Sequence, residues 1–245
     1  SVVFEGGAIS MTQVIATFKL RPDLTWSDGA PLTADDSLYS YEVASQLEDL
    51  PMRLRLLHEQ TQSYEAVDER TVVWTSVPGY RDTFYFQGFY LQNTYAQNFY
   101  HPLPRHLWGA LDAQQLLSAT EVIQKPVGWG AFVVEEWVQG QSISLVPNPY
   151  YFRRTENLPH LDRVTFRFVS SLQQALDMLL QGQCDVITQE VIEREAVHTG
   201  SLVTLLDAAD RGQVELISAP SSEWEHLDFS ITQAEWSKRP NFFGD

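Results

Sequence analysis

Glu135 and Glu136 stand side by side in the stretch Ala131 to Trp137. Two carboxylates around one glycosidic bond are the equipment of a glycoside hydrolase, and seven tryptophans suit a sugar-binding surface. Neighbours on a strand point to opposite faces, however, so these two carboxylates cannot act together. Glu193, Glu195 and His198 follow a helical pattern and read as a solvated face. None of the six histidines stands three or four residues from another, as a helical metal site would require. His101 and His106 are separated by two prolines and read as loop histidines. Cys184 is the only cysteine, so it forms no intrachain disulfide; its apolar surroundings suit a small core residue. The phosphate-binding, nucleophile-elbow and zinc-protease motifs are absent. Gly128-Trp129-Gly130 is only a GxG, and it precedes a strand pattern rather than a helix.

Composition narrows the field further. The chain has 245 residues, enough for two ordinary domains. Apolar residues make up 44% and charged residues 20%, which is globular and argues against wholesale disorder. Lys plus Arg is 16 against 32 Asp plus Glu, a net charge of −16. A field of that sign repels nucleic-acid backbones and anionic membrane surfaces. No run approaches the roughly 18 apolar residues of a membrane helix. No basic and apolar leader opens the chain, so a targeting signal is expected to have been removed or to lie outside it.

The elements that must position any site follow from periodicity and turn chemistry. Thr12 to Leu20 alternates as a strand, with Val14, Ala16, Phe18 and Leu20 on one face. Trp26-Ser-Asp-Gly29 is a turn in which Gly29 takes positive φ. Thr33 caps a helix whose first turn holds Asp35 and Asp36, where the helix dipole favours them. Leu38, Tyr41 and Ala44 or Ser45 continue that helix on one face. Pro51 opens a second short helix through His58. Ser63 to Val67 and Thr71 to Thr75 form a hairpin, and Tyr80 to Tyr100 is aromatic without a clear pattern. Asp112 caps a helix through Leu117. Ala131 to Trp137 and Ser142 to Val146 form a hairpin around Gln139-Gly140, and Asn148-Pro149 turns the chain. Leu161 to Val169 reads as a strand, Ser170-Ser171 as the cap of a helix through Leu180, and Gly182 as its end. Asp185 to Thr188, Val214 to Ser218 and His226 to Ile231 read as strands. Glu190 to His198 and Ser201 to Arg211 read as helices. Alternating strands and helices make this half α/β.

Five of these stretches resemble, in order, the family 5 extracellular solute-binding proteins of bacterial ABC transporters. Phe18-Lys-Leu-Arg-Pro22 and Trp26-Ser-Asp-Gly-Ala-Pro-Leu-Thr-Ala-Asp-Asp36 are similar to the family's FKLRPGVKWSDGTPLTADDV signature. Pro126-Val-Gly-Trp-Gly-Ala-Phe132 is similar to PVGTGPY, with Trp129 in place of Thr and Ala131 in place of Pro. Trp137 with Gly140-Gln141, then Asn148-Pro-Tyr-Tyr151, resemble the stretch ending in NPDYW. Leu161 to Ile187 resembles LDKVVFRFIPD…AALLAGEVDVI.

The resemblance implies a type II periplasmic-binding-protein-like α/β lobe with a mixed β-sheet, flanking helices and an inserted α+β subdomain. It places residues 1–23 with 128–235 in the α/β part, 24–127 in the insertion, and 236–245 at the start of a crossover. It also implies that the chain is a fragment of the first lobe, without its beginning and without the second lobe. The implied function is capture of a peptide-like or oligosaccharide solute outside the cytoplasm, and its delivery to an ABC permease, by a monomer without catalysis or cofactor. Lipid anchoring to the envelope is left open. By position in the resembling fold, Arg53, Asn98, Tyr100 and Trp129 are the expected ligand contacts. Trp26, Asp28, Gly29, Asp35 and Asp36 are expected to be structural. The alternative from another class is a carbohydrate-binding module or glycoside-active enzyme.

Overall fold

The computed structural model describes residues 6, 10–47, 52–80, 99–188, 191–192 and 201–217, with the side chains of 52–54 and 201–202 left out. The chain divides into two compact units, Ser1–Ser170 and Ser171–Asp245. No helix among the described residues is long and apolar enough to cross a membrane.

In the first unit, β1 (Ile15–Lys19), β2 (Thr61–Asp68) and β3 (Thr71–Ser76) form an antiparallel sheet in the order β1-β3-β2. The hairpin read at Asp68-Glu69-Arg70 is β2–β3. β1 pairs along its length with β3, from Ile15 opposite Thr75 to Lys19 opposite Thr71, which ties residues 15–19 to this sheet. Its alternation places Ala16 inside at 2% exposure and Ile15 outside at 64%. Val14, Phe18 and Leu20 join Ala16 against the buried cluster around Val72, Trp74, Tyr64 and Tyr100.

α1 (Ala34–Ser45) begins at Thr33, with Asp35 and Asp36 in its first turn, as the sequence predicts. Its burial is broader than a single face. Leu38, Tyr41 and Ala44 pack on the sheet cluster, while Tyr39 and Val43 pack with Trp108, Ala113 and Leu116. Those last residues come from α3 (Arg105–Trp108) and α4 (Ala113–Ser118), so α1 is covered on two sides. α2 (Met52–Glu59) matches the second short helix. Asp112 caps α4 as expected: its Oδ1 accepts from the Gln115 backbone N–H at 2.8 Å. α5 (Thr120–Gln124) follows.

A second antiparallel sheet has the order β4-β5-β6, with β4 (Phe132–Val138), β5 (Ser142–Pro147) and β6 (Val164–Arg167). The β4–β5 register shifts between Val134 and Glu136, which places a bulge at Glu135. The strand read over Leu161 to Val169 is shorter in the structure, because only Val164–Arg167 finds partners on β5. Leu161 is 60% exposed.

In the second unit, Ser171 caps α6 (Leu172–Leu180) by accepting from the Gln174 backbone N–H at 3.1 Å. Gly182 follows with φ +68, as a helix-terminating glycine should. α6 packs through Leu172 and Leu176 on Leu205 of α7 (Ser201–Asp210). Cys184 is half-buried, with its Sγ 3.9 Å from the Ala175 carbonyl, rather than a fully buried core residue. Residues 185–188 and 214–217 carry strand-like patterns but join no ladder among the described residues. Val186 and Ile217 are 75% and 85% exposed. A strand is defined by a paired edge, and alternation alone supplies none. The helix read over Glu190 to His198 is described only at 191–192, and His226 to Ile231 lies outside the described residues.

Candidate functional site

Three turns far apart in sequence meet in the first unit, and each belongs to a stretch singled out above. The Ser27 backbone N–H donates to the Gly128 carbonyl at 2.8 Å. The Gly128 N–H returns a longer bond to Ser27 Oγ at 3.4 Å. The Trp129 ring meets Trp26 edge-on, with centroids 5.2 Å apart and planes at 78°. Such edge-to-face pairs add about 0.5–1.5 kcal/mol beyond area burial. The third turn is fixed by Asn148, which is fully buried. Its Nδ2 donates to the Gly130 carbonyl at 2.9 Å, and its Oδ1 accepts from the Tyr150 N–H at 2.9 Å. Its own N–H donates to the Ala131 carbonyl at 2.8 Å. Tyr150 then returns to the first turn, against Gly29.

Gly29 has φ +93, and a Cβ there would stand 3.0 Å from Tyr150 Cζ. Tyr150 is 48% exposed and can swing into solvent, so backbone strain outweighs the clash. Gly29→Ala is expected to destabilise the chain by about 1–2 kcal/mol, measured by urea denaturation. Adding Tyr150→Ala is not expected to restore the loss.

Behind these turns lies a buried carboxylate. Asp36 is 4% exposed and Trp26 1%. Asp36 Oδ2 accepts from Trp26 Nε1 at 3.1 Å and from the Thr33 backbone N–H at 2.9 Å. Its Oδ1 accepts from the Arg105 backbone N–H at 3.0 Å. One side chain thus satisfies the start of α1, the indole of the first turn and the start of α3. The sequence assigned Asp36 only the first role. The indole N–H of Trp26, which needs an acceptor once buried, was the available signal for the second.

Asp28 Oδ2 lies 2.7 Å from His106 Nε2, with the imidazole donating to the carboxylate. Burial alone would raise the Asp28 pKa. The hydrogen bonds from His106 and the Ala30 N–H outweigh it and hold the carboxyl below its ordinary value. A depressed folded pKa contributes stability that is complete above the unfolded value and lost as pH falls through the folded one. Asp28→Asn is therefore expected to lower the urea midpoint at neutral pH. The difference from the parent chain should shrink below about pH 4.

Of the four expected ligand contacts, Tyr100 and Trp129 are described with their side chains. Asn98 lies outside the described residues, and Arg53 lies on α2 with its side chain outside them. Trp129 is half-buried on the Trp26 edge. Tyr100 is 7% exposed within an aromatic cluster, its ring centroid 5.2 Å from Tyr41 and 5.1 Å from Tyr64. Its carbonyl accepts from Ser37 Oγ, and its N–H donates to Tyr64 Oη at 2.9 Å. The Tyr100 hydroxyl is buried without a hydrogen-bond partner among the described residues, and burial pushes its pKa up. Burial likewise pushes Tyr64 up to about 12, against the hydrogen bonds from Ser37 and Tyr100. Tyr100 and Trp129 make no ring contact with each other.

The carboxylate pair considered for sugar chemistry lies at the bulge, with Glu135 the extra residue, Glu136 paired with Ser144, and both exposed. Glu135 is held by Arg163, whose hydrogen bond keeps its carboxyl below the ordinary range. Among the described residues no three His, Cys, Asp or Glu side chains gather as a metal site would require.

The mixed α/β architecture is shared with solved solute-binding proteins. Residues 8–241 match the family described as bacterial extracellular solute-binding proteins, family 5 Middle, and the chain belongs to that family. It is 29% identical over 164 residues to the oligopeptide-binding protein AppA of Bacillus subtilis, covering 67% of this chain and 28% of AppA. It is 27% identical over 175 residues to the probable D,D-dipeptide-binding periplasmic protein DdpA of Escherichia coli, covering 69% and 30%. The AppA structure, solved with a nonapeptide, aligns with a TM-score of 0.57 at 28% identity, covering 69% of this chain and 31% of that one. The chain spans about a third of the length of the curated relatives it matches.

Proposed function

We propose that this chain forms part of the solute-binding component of an ABC-type importer. It captures a peptide-like or oligosaccharide solute outside the cytoplasm and hands it to a membrane permease. The family match across residues 8–241 carries this reading. The names of AppA and DdpA favour a peptide over other solutes. Ligand binding would stabilise one arrangement of the whole protein over another, by its difference in affinity for the two. No bond of the solute is made or broken. Trp129 and Tyr100 are the described residues proposed to touch it, with Arg53 and Asn98 as the further contacts. Trp129 offers a half-exposed indole for stacking, and Tyr100 a buried hydroxyl with no hydrogen-bond partner among the described residues.

The test is incubation of the longest natural chain carrying these 245 residues with a nonapeptide pool, followed by mass spectrometry of the bound fraction. Intact peptides are expected in that fraction. Cleaved or modified peptides, produced at a rate proportional to protein concentration, would contradict the reading.

A further inference from the structure

In a chain of net charge −16, cations gathered without counter-charges need a reason. Arg55, Arg105, Arg153, Arg163 and Arg211 each meet a carboxylate. Lys19, Arg21, Arg70 and Arg154 are exposed and meet none among the described residues. These four lie at one end of the first unit. The Leu20 N–H donates to the Arg70 carbonyl at 2.8 Å, which sets Lys19 and Arg21 beside Arg70. Lys19 and Arg70 line one open depression where β1 ends beside the β2–β3 turn. The Arg21 guanidinium lies 4.7 Å over the Phe152 ring, and Arg153 and Arg154 follow Phe152 in the chain. The hydrogen bonds of Arg153, with the charge of Arg21 beyond them, hold the Glu156 carboxyl below its ordinary range. Asp68 is engaged as well, accepting from the Arg70 N–H at 2.8 Å. Asp23 and Glu69 are the nearby acids with no ion pair among the described residues.

Packing accounts for Arg21, which covers Phe152. No hydrogen bond, ion pair or ring contact among the described residues occupies the side chains of Lys19, Arg70 and Arg154. Like charges brought together repel, and 32 acids were available to pair with 16 bases. The stability of the fold therefore gives no reason for the grouping. A charge asymmetry of this kind orients an approaching partner and speeds the encounter. Location narrows the partner. Membrane proteins concentrate Lys and Arg in their cytoplasmic loops, so the acids of their outer loops go unbalanced. An anionic lipid surface would attract the same cations, but its extended field also repels the rest of an acidic chain. A protein loop presents its charge within a Debye length or so of one patch.

We infer that this basic end, formed by Lys19, Arg21, Arg70 and Arg154, is a face that docks on the acidic outer surface of the membrane permease. The inference rests on the solute-binding reading above and gives its partner a surface on this chain. The cations steer the loaded protein so that this end arrives first, while the acidic remainder is held off.

The test uses the longest natural chain carrying these residues. Lys19→Glu, Arg70→Glu and Arg154→Glu are combined in one variant, and the three glutamine substitutions in a second. Arg167→Glu is the control for an exposed cation elsewhere. The permease is rebuilt in phosphatidylcholine vesicles, and nonapeptide uptake is read against the concentration of binding protein. The glutamate variant is expected to need about tenfold more protein for half-maximal uptake, and the glutamine variant a smaller excess. Melting temperature and nonapeptide affinity should not change, and added salt should weaken the parent more than either variant. Half-maximal uptake at the parent's concentration would overturn the docking face and leave the solute-binding reading intact. An equal loss with Arg167→Glu would overturn it too, as would a lower melting temperature or peptide affinity, since the charges would then act generally or within the fold. Binding of the parent to vesicles containing phosphatidylglycerol, lost in the glutamate variant, would assign the patch to lipid and overturn the permease as its partner. A parent that binds no nonapeptide would overturn the peptide reading on which the face rests.

Discussion

Replacing Asp36 with alanine is expected to destabilise the chain by about 3 kcal/mol, the larger part of it through residues distant in sequence. The substitution leaves the Trp26 indole N–H, the Thr33 N–H and the Arg105 N–H without their acceptor. A buried donor left unpaired costs about 1–3 kcal/mol. The full cost applies to Trp26, which is 1% exposed. The two backbone donors are partly buried, so water recovers some of their loss. Asp36→Asn keeps an oxygen but turns an NH2 group toward one of the donors, and about half the loss is expected. Trp26→Phe removes the indole donor together with its need, and should cost less than Asp36→Ala. Urea denaturation of the three variants checks this order. An Asp36→Ala chain within about 0.5 kcal/mol of the parent, the range of ordinary surface substitutions, would contradict the role given to this carboxylate.

Trp74→Ala is expected to cost about 3–5 kcal/mol, the range for a large aromatic removed from a core. Trp74 is fully buried at the middle of β3, opposite Ala16 on β1 and Tyr64 on β2. Neither neighbour can fill the gap. Ala16 has no side chain to extend, and the Tyr64 hydroxyl is fixed by Ser37 and the Tyr100 N–H. Trp74 Nε1 also donates to Thr61 Oγ1 at 2.8 Å. Trp74→Phe keeps most of the packing and loses that bond. The Thr61 hydroxyl still donates to the Leu57 carbonyl at 2.7 Å, so it is not orphaned. The phenylalanine variant should therefore lose only about 1–2 kcal/mol. Equal losses in the two variants would mean that the hydrogen bond, and not the ring volume, holds this position.

The local elements could be read because their causes are local. Asp112 and Ser171 start helices by accepting from backbone N–H groups three residues on, the Asp36 side chain reaches back three residues to the Thr33 N–H, and Gly29 and Gly182 take conformations that other residues resist. What could not be read depended on partners far along the chain. α1 shows a one-sided pattern, yet Tyr39 and Val43 are buried too, because α3 and α4 cover the other side. The segments at 185–188 and 214–217 alternate like strands but find no edge among the described residues.

The same division governs the candidate site. The turn at Trp26 to Gly29 and the stretch from Pro126 to Phe132 were each visible as motifs. Their contact through Ser27, Gly128 and the two indoles was not, since nothing within either stretch encodes a partner about 100 residues away. Asn148 read only as a turn residue, but its side chain spans two turns at once.

The most direct test of the solute-binding account is a thermal-shift screen of the longest natural chain carrying these 245 residues. The panel holds nonapeptides, oligosaccharides and nickel chelates. A ligand at about 100 times its Kd adds roughly 2.7 kcal/mol of stability, which a raised melting temperature registers clearly. The account predicts such a shift with peptides, without consumption of the ligand. No shift with any member of the panel at millimolar concentration, or a shift accompanied by turnover, would contradict it.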